Sequence, residues 1–194
     1  MAGSGFGGAS APASGRQTPA TPASPPAVDE RSAAIIAGIE AIQPQHVLFL
    51  PSSTLKAVVG HFLAAPGVRT FPVPREEEGV GILSGLVLAG QRAVMIIQDN
   101  GIGNLITALA TFPQAYHVPM LIVTSRRGGL GEYNSMIHMV SEHAEALLDA
   151  AQFRYFQLDG RTSLDAWTPT VIRAYEYAQT THRPIFLLVN LMGG

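Results

Sequence analysis

The sequence has no cysteine in 194 residues, few charged residues (13%) and a formal net charge of -2. The absence of cysteine excludes a disulfide framework and any thiolate metal site. The shortage of charge leaves no basic stripe that could neutralise the phosphates of a nucleic acid. No apolar run reaches the ~18 residues that span a bilayer, and the first residues lack the pattern of a signal peptide. We therefore expect a cytoplasmic protein with neither nucleic acid nor a membrane as partner.

Residues 1–27 consist almost entirely of Gly, Ala, Ser, Pro and Thr. Such a composition buries too little apolar surface to offset the ~1–2 kcal/mol per residue that backbone ordering costs. A transit peptide is the alternative, but the segment carries a single arginine, Arg16, and no amphipathic pattern. We expect a disordered tail over 1–27 and one domain over 28–194.

From Val28 onward, apolar runs typical of strands alternate with segments of helical periodicity. Strands are predicted over 47–50, 68–73, 93–98, 119–123, 153–158 and 185–189. Helices are predicted over 33–42, 54–64, 76–89, 105–112, 140–150 and 164–180. This alternation indicates a single α/β domain with a mostly parallel sheet of about six strands and helices on both faces. Ligands of such sheets bind beyond the carboxyl ends of the strands, where this chain has its polar and glycine-bearing loops.

Three consecutive glutamates, Glu76 to Glu78, begin the third predicted helix. A structural role explains them on its own, because negative charge at a helix N-terminus is favourable by ~0.3–1 kcal/mol. Helical spacing nevertheless separates them, since Glu76 shares an apolar stripe with Val80 and Leu83 and Glu77 does not. An acid among apolar groups needs a partner. We therefore expect Glu76 to be a buried acid that awaits a ligand.

The loop after the third predicted strand has the sequence QDNGIGN over 98–104. It lacks the Gly-Lys-Ser/Thr ending of a nucleotide-binding P-loop, which excludes that function. Gly101 and Gly103 serve either a tight turn into the next helix or the lining of a site. The glycines within the preceding helix do not match the dinucleotide-binding fingerprint.

Arg126 and Arg127 come soon after the fourth predicted strand and precede two glycines. A guanidinium there can meet a doubly ionised substrate, and a solvated pair is the alternative. His138 and His143 lack the spacing of the His-Glu-x-x-His motif, and no third ligand accompanies them. We therefore expect no metal site formed by this chain alone.

Three blocks of sequence together resemble one family. They are REEEGVGI over 75–82, QDNGIGN over 98–104, and a strand from Pro119 that leads into SRRG over 125–128. Their order and spacing resemble those of sulfopyruvate and phosphonopyruvate decarboxylases, which use thiamine diphosphate. The similarity covers roughly residues 44–140. It implies the thiamine-diphosphate-binding fold in its pyrimidine-domain form.

The resemblance also assigns residues. The family's catalytic glutamate falls on Glu76, nine residues before Gly85, and activates the cofactor. The implied cofactor-binding residues are Glu76, Gln98, Gly101, Gly103 and Asn104, and the implied substrate-binding residues are Ser52, Arg126 and His138. The chain departs from the family at Asp99-Asn100, where Asn-Ser is common, and at Ser52-Ser53, where a cysteine-bearing loop is usual. These departures leave the substrate open.

The superfamily's second half binds Mg²⁺ and diphosphate through a Gly-Asp-Gly motif, of which only Leu158-Asp159-Gly160 occurs here. The chain therefore resembles the alpha subunit of two-subunit members of the family. The resemblance implies thiamine diphosphate and Mg²⁺ as cofactors, with Mg²⁺ held mainly by a beta subunit, in an assembly of two alpha and two beta chains. The implied reaction converts 3-sulfopyruvate to sulfoacetaldehyde and CO₂, and coenzyme M biosynthesis, sulfonate metabolism and phosphonate metabolism stay open as the pathway. A phosphonopyruvate decarboxylase subunit and a non-catalytic assembly or regulatory subunit are the alternatives.

Overall fold

The computed structural model describes residues 29–192, so the tail expected over 1–27 lies outside the described residues. The helices are Glu30–Ile42 (α1), Lys56–Ala64 (α2), Glu76–Leu88 (α3), Ile102–Thr111 (α4), Ser135–Ser141 (α5), Ala144–Ala150 (α6) and Trp167–Thr181 (α7). The strands are His46–Phe49 (β1), Arg69–Pro72 (β2), Ala93–Gln98 (β3), Met120–Ser125 (β4), Arg154–Leu158 (β5) and Pro184–Val189 (β6). None of the described helices combines the length and apolar character needed to cross a membrane.

The six strands form one sheet in the order β2-β1-β3-β4-β6-β5, and every neighbouring pair is parallel. The predicted single α/β domain is therefore confirmed, and the sheet is wholly parallel. The chain places β2 on one side of β1 and then returns to place β3 on the other side. Such a reversal opens a crevice beyond the carboxyl ends of the two strands that flank it.

The sheet separates two apolar cores. Val94 and Ile96 of β3 contribute to the core that contains α1, α2 and α7, whereas Met95 and Ile97 contribute to the core with α3, α4 and α6. Successive side chains of a strand point to opposite faces, so a strand covered on both faces needs a continuous apolar run. The burial of Ala93 through Ile97 confirms the prediction that this strand is covered on both sides.

Most differences from the predicted elements lie at helix ends. The helix predicted over 140–150 is two helices, because α5 begins earlier, at Ser135, and α6 begins at Ala144. The side chain of Asn134 accepts a hydrogen bond from the Met136 amide and thereby caps α5. α1 also begins earlier than predicted, because the Asp29 carboxylate accepts a 2.7 Å hydrogen bond from the Ser32 amide. Caps of this kind are short polar contacts that hydrophobic periodicity does not reveal.

Candidate active site

The segments that follow β1, β2 and β3 leave the sheet side by side. β1 lies between the other two strands, and its neighbours bond to its end: the Leu50 amide donates to the Ile96 carbonyl over 3.0 Å, and the Val73 amide donates to the Phe49 carbonyl over 2.9 Å. The helix after β1 packs in one core and the helix after β3 in the other. The crevice at the strand reversal therefore lies between the loop 50–55 and the loop 98–101.

Glu76 is the first residue of α3 and meets the start of α4 at this edge. The side-chain amide of Asn104 donates a 2.9 Å hydrogen bond to Oε2 of Glu76. A Cβ added to Gly101 would lie 2.6 Å from Cδ of Glu76, which no real Cβ contact tolerates. Gly101 is therefore the residue that lets the carboxylate approach the turn after β3. The structure brings three of the predicted site residues together, Glu76, Gly101 and Asn104.

The environment of Glu76 differs from the prediction in one respect. Val80 and Leu83, on its stripe, are buried as expected, but Glu76 itself is only half-buried. The expectation of a buried acid is wrong, because Glu76 occupies the first position of its helix, at the open edge of the sheet. A partly exposed carboxylate keeps an open side from which a ligand can reach it.

The two neighbouring glutamates have other roles. Glu77 accepts a 2.6 Å hydrogen bond from Nε of Arg75, and this bond holds the pKa of Glu77 below its ordinary value. Glu78 is exposed. Of the three acids, Glu76 is the one in contact with the turn after β3.

Asp99 is a second acid at this edge, and its importance was missed in the sequence. Its side chain is 0% exposed, and its Oδ2 accepts a 2.6 Å hydrogen bond from the Arg127 amide. A guanidinium nitrogen of Arg126 lies 3.8 Å from the same oxygen. Burial raises the pKa of Asp99 despite these favourable contacts. Asp99 thus ties the turn that holds Gly101 to the loop after β4. The sequence does place Asp99 directly after a buried strand, and this position could have identified it as a candidate site residue.

Both arginines of the loop after β4 are already paired with acids of the same chain. Arg126 donates from Nε to Glu145 over 2.6 Å. Arg127 donates to Glu132 from Nε and from a terminal nitrogen, each over 2.8 Å, and the two side chains are only 9% and 2% exposed. Breaking a buried pair leaves an uncompensated charge, which costs several kcal/mol. Neither guanidinium is therefore presented as a free anion-binding group in this conformation.

The remaining predicted site residues lie apart from the Glu76 carboxylate. Ser52 is buried in the loop after β1, where its hydroxyl lies 3.1 Å from that of Thr54. Gln98 ends β3. Gly103 is exposed within α4, and nothing lies within 4 Å of the position of an added Cβ. No hydrogen bond among the described residues joins Ser52, Gln98 or Gly103 to the Glu76 carboxylate.

His138 lies on α5 and supports the loop after β4. One ring nitrogen lies 2.8 Å from a carboxylate oxygen of Glu142 and the other lies 2.8 Å from the Glu132 carbonyl oxygen. The Glu132 carbonyl, followed by the Glu142 carboxylate, raises the pKa of His138. Between residues 29 and 192, no three His, Asp or Glu side chains are placed to hold a metal ion.

Comparison with known proteins gives relatives for about half of the chain. The sulfopyruvate decarboxylase subunit alpha of Methanococcus maripaludis is 33% identical over 110 residues, which are 57% of this chain and 66% of that subunit. A phosphonopyruvate decarboxylase of Streptomyces viridochromogenes is 25% identical over 125 residues, which are 64% of this chain and 32% of that enzyme. The matched part spans less than two thirds of these relatives' lengths. No protein-family model matches the chain. The resemblance drawn from the three sequence blocks is confirmed.

The fold also occurs in a solved structure. It is the 2-oxoglutarate:ferredoxin oxidoreductase from Magnetococcus marinus, solved with 2-oxoglutarate, coenzyme A and succinyl-CoA bound. The similarity has a TM-score of 0.62 and 13% sequence identity, and it covers 82% of this chain and 28% of that one. At this identity the likeness establishes the shared fold.

Proposed function

We propose that this chain is the pyrimidine-binding subunit of a thiamine-diphosphate-dependent decarboxylase that converts 3-sulfopyruvate to sulfoacetaldehyde and CO₂. The observation that carries the proposal is the Glu76 carboxylate, seated against Gly101, held by Asn104 and open on its outer side. The similarity to sulfopyruvate decarboxylase alpha subunits supports the substrate and the reaction.

The residues around Glu76 fit the aminopyrimidine of the cofactor. Oε2 accepts the hydrogen bond from Asn104, whereas no described residue donates a hydrogen bond to Oε1. An ionised carboxylate accepts several hydrogen bonds, so Oε1 is suited to a ring N–H. Thiamine diphosphate, when bound, supplies the electron sink that takes up the electrons released as CO₂ leaves.

The chain's own contribution is to hold the Glu76 carboxylate in one orientation. Glu76 is the first residue of α3, and the hydrogen bond from the Asn104 amide fixes the plane of its carboxylate. A fixed acceptor loses little freedom when the ring nitrogen binds to it. Glu76 can then stabilise a proton on that nitrogen, which is the step that prepares the cofactor for reaction.

A partner subunit completes the site in this proposal. A diphosphate with Mg²⁺ needs oxygen ligands, and the part of the chain that the structure describes has no cluster of acids placed for a metal. We assign Mg²⁺ and the diphosphate to a beta subunit, in an assembly of two alpha and two beta chains. The name subunit alpha of the archaeal relatives supports such a partner.

The exposed surface of α3 and α4 supports the same conclusion. The two helices pack against each other and leave apolar side chains in solvent, with Ile82 41% and Leu88 66% exposed on α3. Phe112 and Tyr116, just after α4, are also exposed. Exposed apolar side chains on two packed elements are typical of an interface. We place the beta subunit on this α3–α4 face.

Two alternative functions make different predictions from the proposed one. A phosphonopyruvate decarboxylase subunit has weaker support, because that enzyme is 25% identical where the sulfopyruvate subunit is 33% identical. If the chain were a non-catalytic subunit, the placement of Glu76 against Gly101 would have no function.

The test is to mix the purified chain with its beta subunit, thiamine diphosphate and Mg²⁺ and to follow CO₂ release from 3-sulfopyruvate and from 3-phosphonopyruvate. We expect turnover of 3-sulfopyruvate by the complex and none by either subunit alone. Absence of turnover with both acids would exclude a decarboxylase.

A further inference from the structure

The substrate proposed above carries two anionic groups, a carboxylate and a sulfonate, and the site must supply cations for them. Arg126 is bonded to Glu145, and Arg127 is bonded to Glu132 in a nearly buried pair. Each guanidinium is thus largely neutralised within the chain. The charge that meets the substrate then comes from another residue at this edge or from the partner subunit that completes the site.

Lys56 is a cation at this edge that is free to bind an anionic group. It is the single lysine of the 194-residue sequence and the first residue of α2, and it is exposed. Within residues 29–192 its ammonium has no carboxylate within 4.0 Å and no hydrogen-bond partner, whereas Arg75 and Arg161, also at this edge, are paired with Glu77 and Asp159. An unpaired ammonium binds a sulfonate without first breaking an ion pair.

Lys56 lies close to the strand reversal, where β2 and β3 flank β1. The loop 50–55 that precedes it leaves β1 between the segment leading to Glu76 and the turn carrying Gly101. Lys56, Ser52 and Ser53 line a hollow of about 390 Å³ together with apolar residues of β1 and α2. Nη1 of Arg127 lies 3.4 Å from Oγ of Ser53, so this hollow adjoins the loop after β4. Ligands of parallel sheets bind at this kind of crevice.

We infer that Lys56 binds the anionic group on C3 of the 2-oxoacid, the sulfonate, and thereby sets the preference for a doubly charged substrate. The inference rests on the proposed function and adds a specificity-determining residue to it. Ser52 and Ser53 line the same hollow as Lys56, and a serine hydroxyl can donate a hydrogen bond to a sulfonate oxygen.

Kinetics of the complex with its partner test the inference. Lys56→Met removes the charge and keeps an unbranched side chain, Lys56→Arg restores the charge, and Arg173→Met removes a charge from the exposed surface of α7. We expect Lys56→Met to lower kcat/KM for 3-sulfopyruvate about 30-fold, mainly through KM, and to change kcat/KM for pyruvate less than about 2-fold. Lys56→Arg should recover most of the loss, and Arg173→Met should match the wild type. An equal loss for both acids, or no loss, overturns the inference.

A binding measurement separates this inference from the proposed function. Because Lys56 is the single lysine, reductive methylation with ¹³C-formaldehyde gives one lysine NMR signal besides that of the chain's amino terminus. The Lys56→Arg variant identifies the lysine signal by losing it. We expect 3-sulfopropanoate to shift this signal saturably in the labelled chain assembled with its partner, and propanoate at equal ionic strength to leave it in place. No shift, or an equal shift with propanoate, refutes the role of Lys56 even where the complex is active. A complex that fails to decarboxylate while the signal still shifts refutes the proposed function and leaves the anion site intact.

Discussion

The side-chain amide of Asn104 donates a 2.9 Å hydrogen bond to the carboxylate of Glu76, 28 residues earlier in the chain. Glu76 begins α3 and Asn104 lies in the first turn of α4, so the bond joins two helices that follow different strands, at the edge where the proposed cofactor binds. It holds the carboxylate in one orientation against Gly101. This single contact defines the candidate active site.

Substitution of the central glutamate should remove activity and leave the fold intact. Glu76→Gln keeps the shape and the acceptor for Asn104 but removes the charge that stabilises a proton on the ring nitrogen. We expect turnover by the complex to fall by roughly 10²-fold or more. Glu77→Gln is the matched control, since Glu77 pairs with Arg75 and has no contact with the turn. Equal losses in the two variants, measured by CO₂ release, would contradict the assignment of Glu76.

Two glycine substitutions should separate activity from stability. In Gly101→Ala the new Cβ would lie 2.6 Å from Cδ of Glu76, so this flexible and partly exposed side chain must move aside, and we expect loss of activity of the complex with little change in the free energy of unfolding. Gly103→Ala adds a methyl group in open space within α4 and should stabilise the chain by about 0.5–1 kcal/mol. Urea unfolding measures both stabilities, and CO₂ release measures activity. A Gly101→Ala variant with the turnover of the wild type would show that the close approach of Glu76 to this turn is not needed for the reaction.

The buried acid at the end of β3 should make stability depend on pH. Burial raises the pKa of Asp99 in the folded state, so the folded chain holds this proton more tightly than the unfolded chain. Asp99 therefore lowers the free energy of unfolding as pH rises above its ordinary pKa. We expect the stability of Asp99→Asn relative to wild type to increase between about pH 3 and pH 7.

Asp159 provides the control with the opposite sign. The hydrogen bond from Arg161 lowers the pKa of Asp159, so its stabilising contribution is present at neutral pH and is lost as pH falls through that pKa. Asp159→Asn should thus lose stability relative to wild type over the same rise in pH. Urea unfolding at several pH values tests both variants, and the same sign in both would disprove the assignment for Asp99.

Charge on the α3–α4 face should weaken assembly with the partner. Ile82→Lys places an ammonium on the exposed apolar surface, and we expect at least about a 10-fold weaker association with the beta subunit. Leu164→Lys is the control, because Leu164 is similarly exposed, at 40%, but lies before α7. Sedimentation velocity of the mixed subunits measures the association. Equal binding by the Ile82→Lys variant and the wild type would place the partner elsewhere.

Much of the fold could be predicted from the sequence, because the four inner strands, β1, β3, β4 and β6, are buried and read as apolar runs. β3 has the predicted bounds, 93–98, and all six strands are present. The start of α5 was missed, since residues 130–139 mix polar and apolar side chains without a clear period. Its cap, Asn134, acts through a local hydrogen bond that depends on backbone conformation.

Local periodicity and motif order are enough to predict the α/β class and the family resemblance, and they single out Glu76 as the candidate among three adjacent acids. Which charges are paired depends on the tertiary structure. Arg126 and Arg127 resemble anion-binding groups in the sequence, yet the fold pairs them with Glu145 and Glu132, while Lys56 has no charged partner within residues 29–192. An ion pair depends on strand order and helix placement, because these bring together side chains that are far apart along the chain. The local sequence pattern does not contain this information.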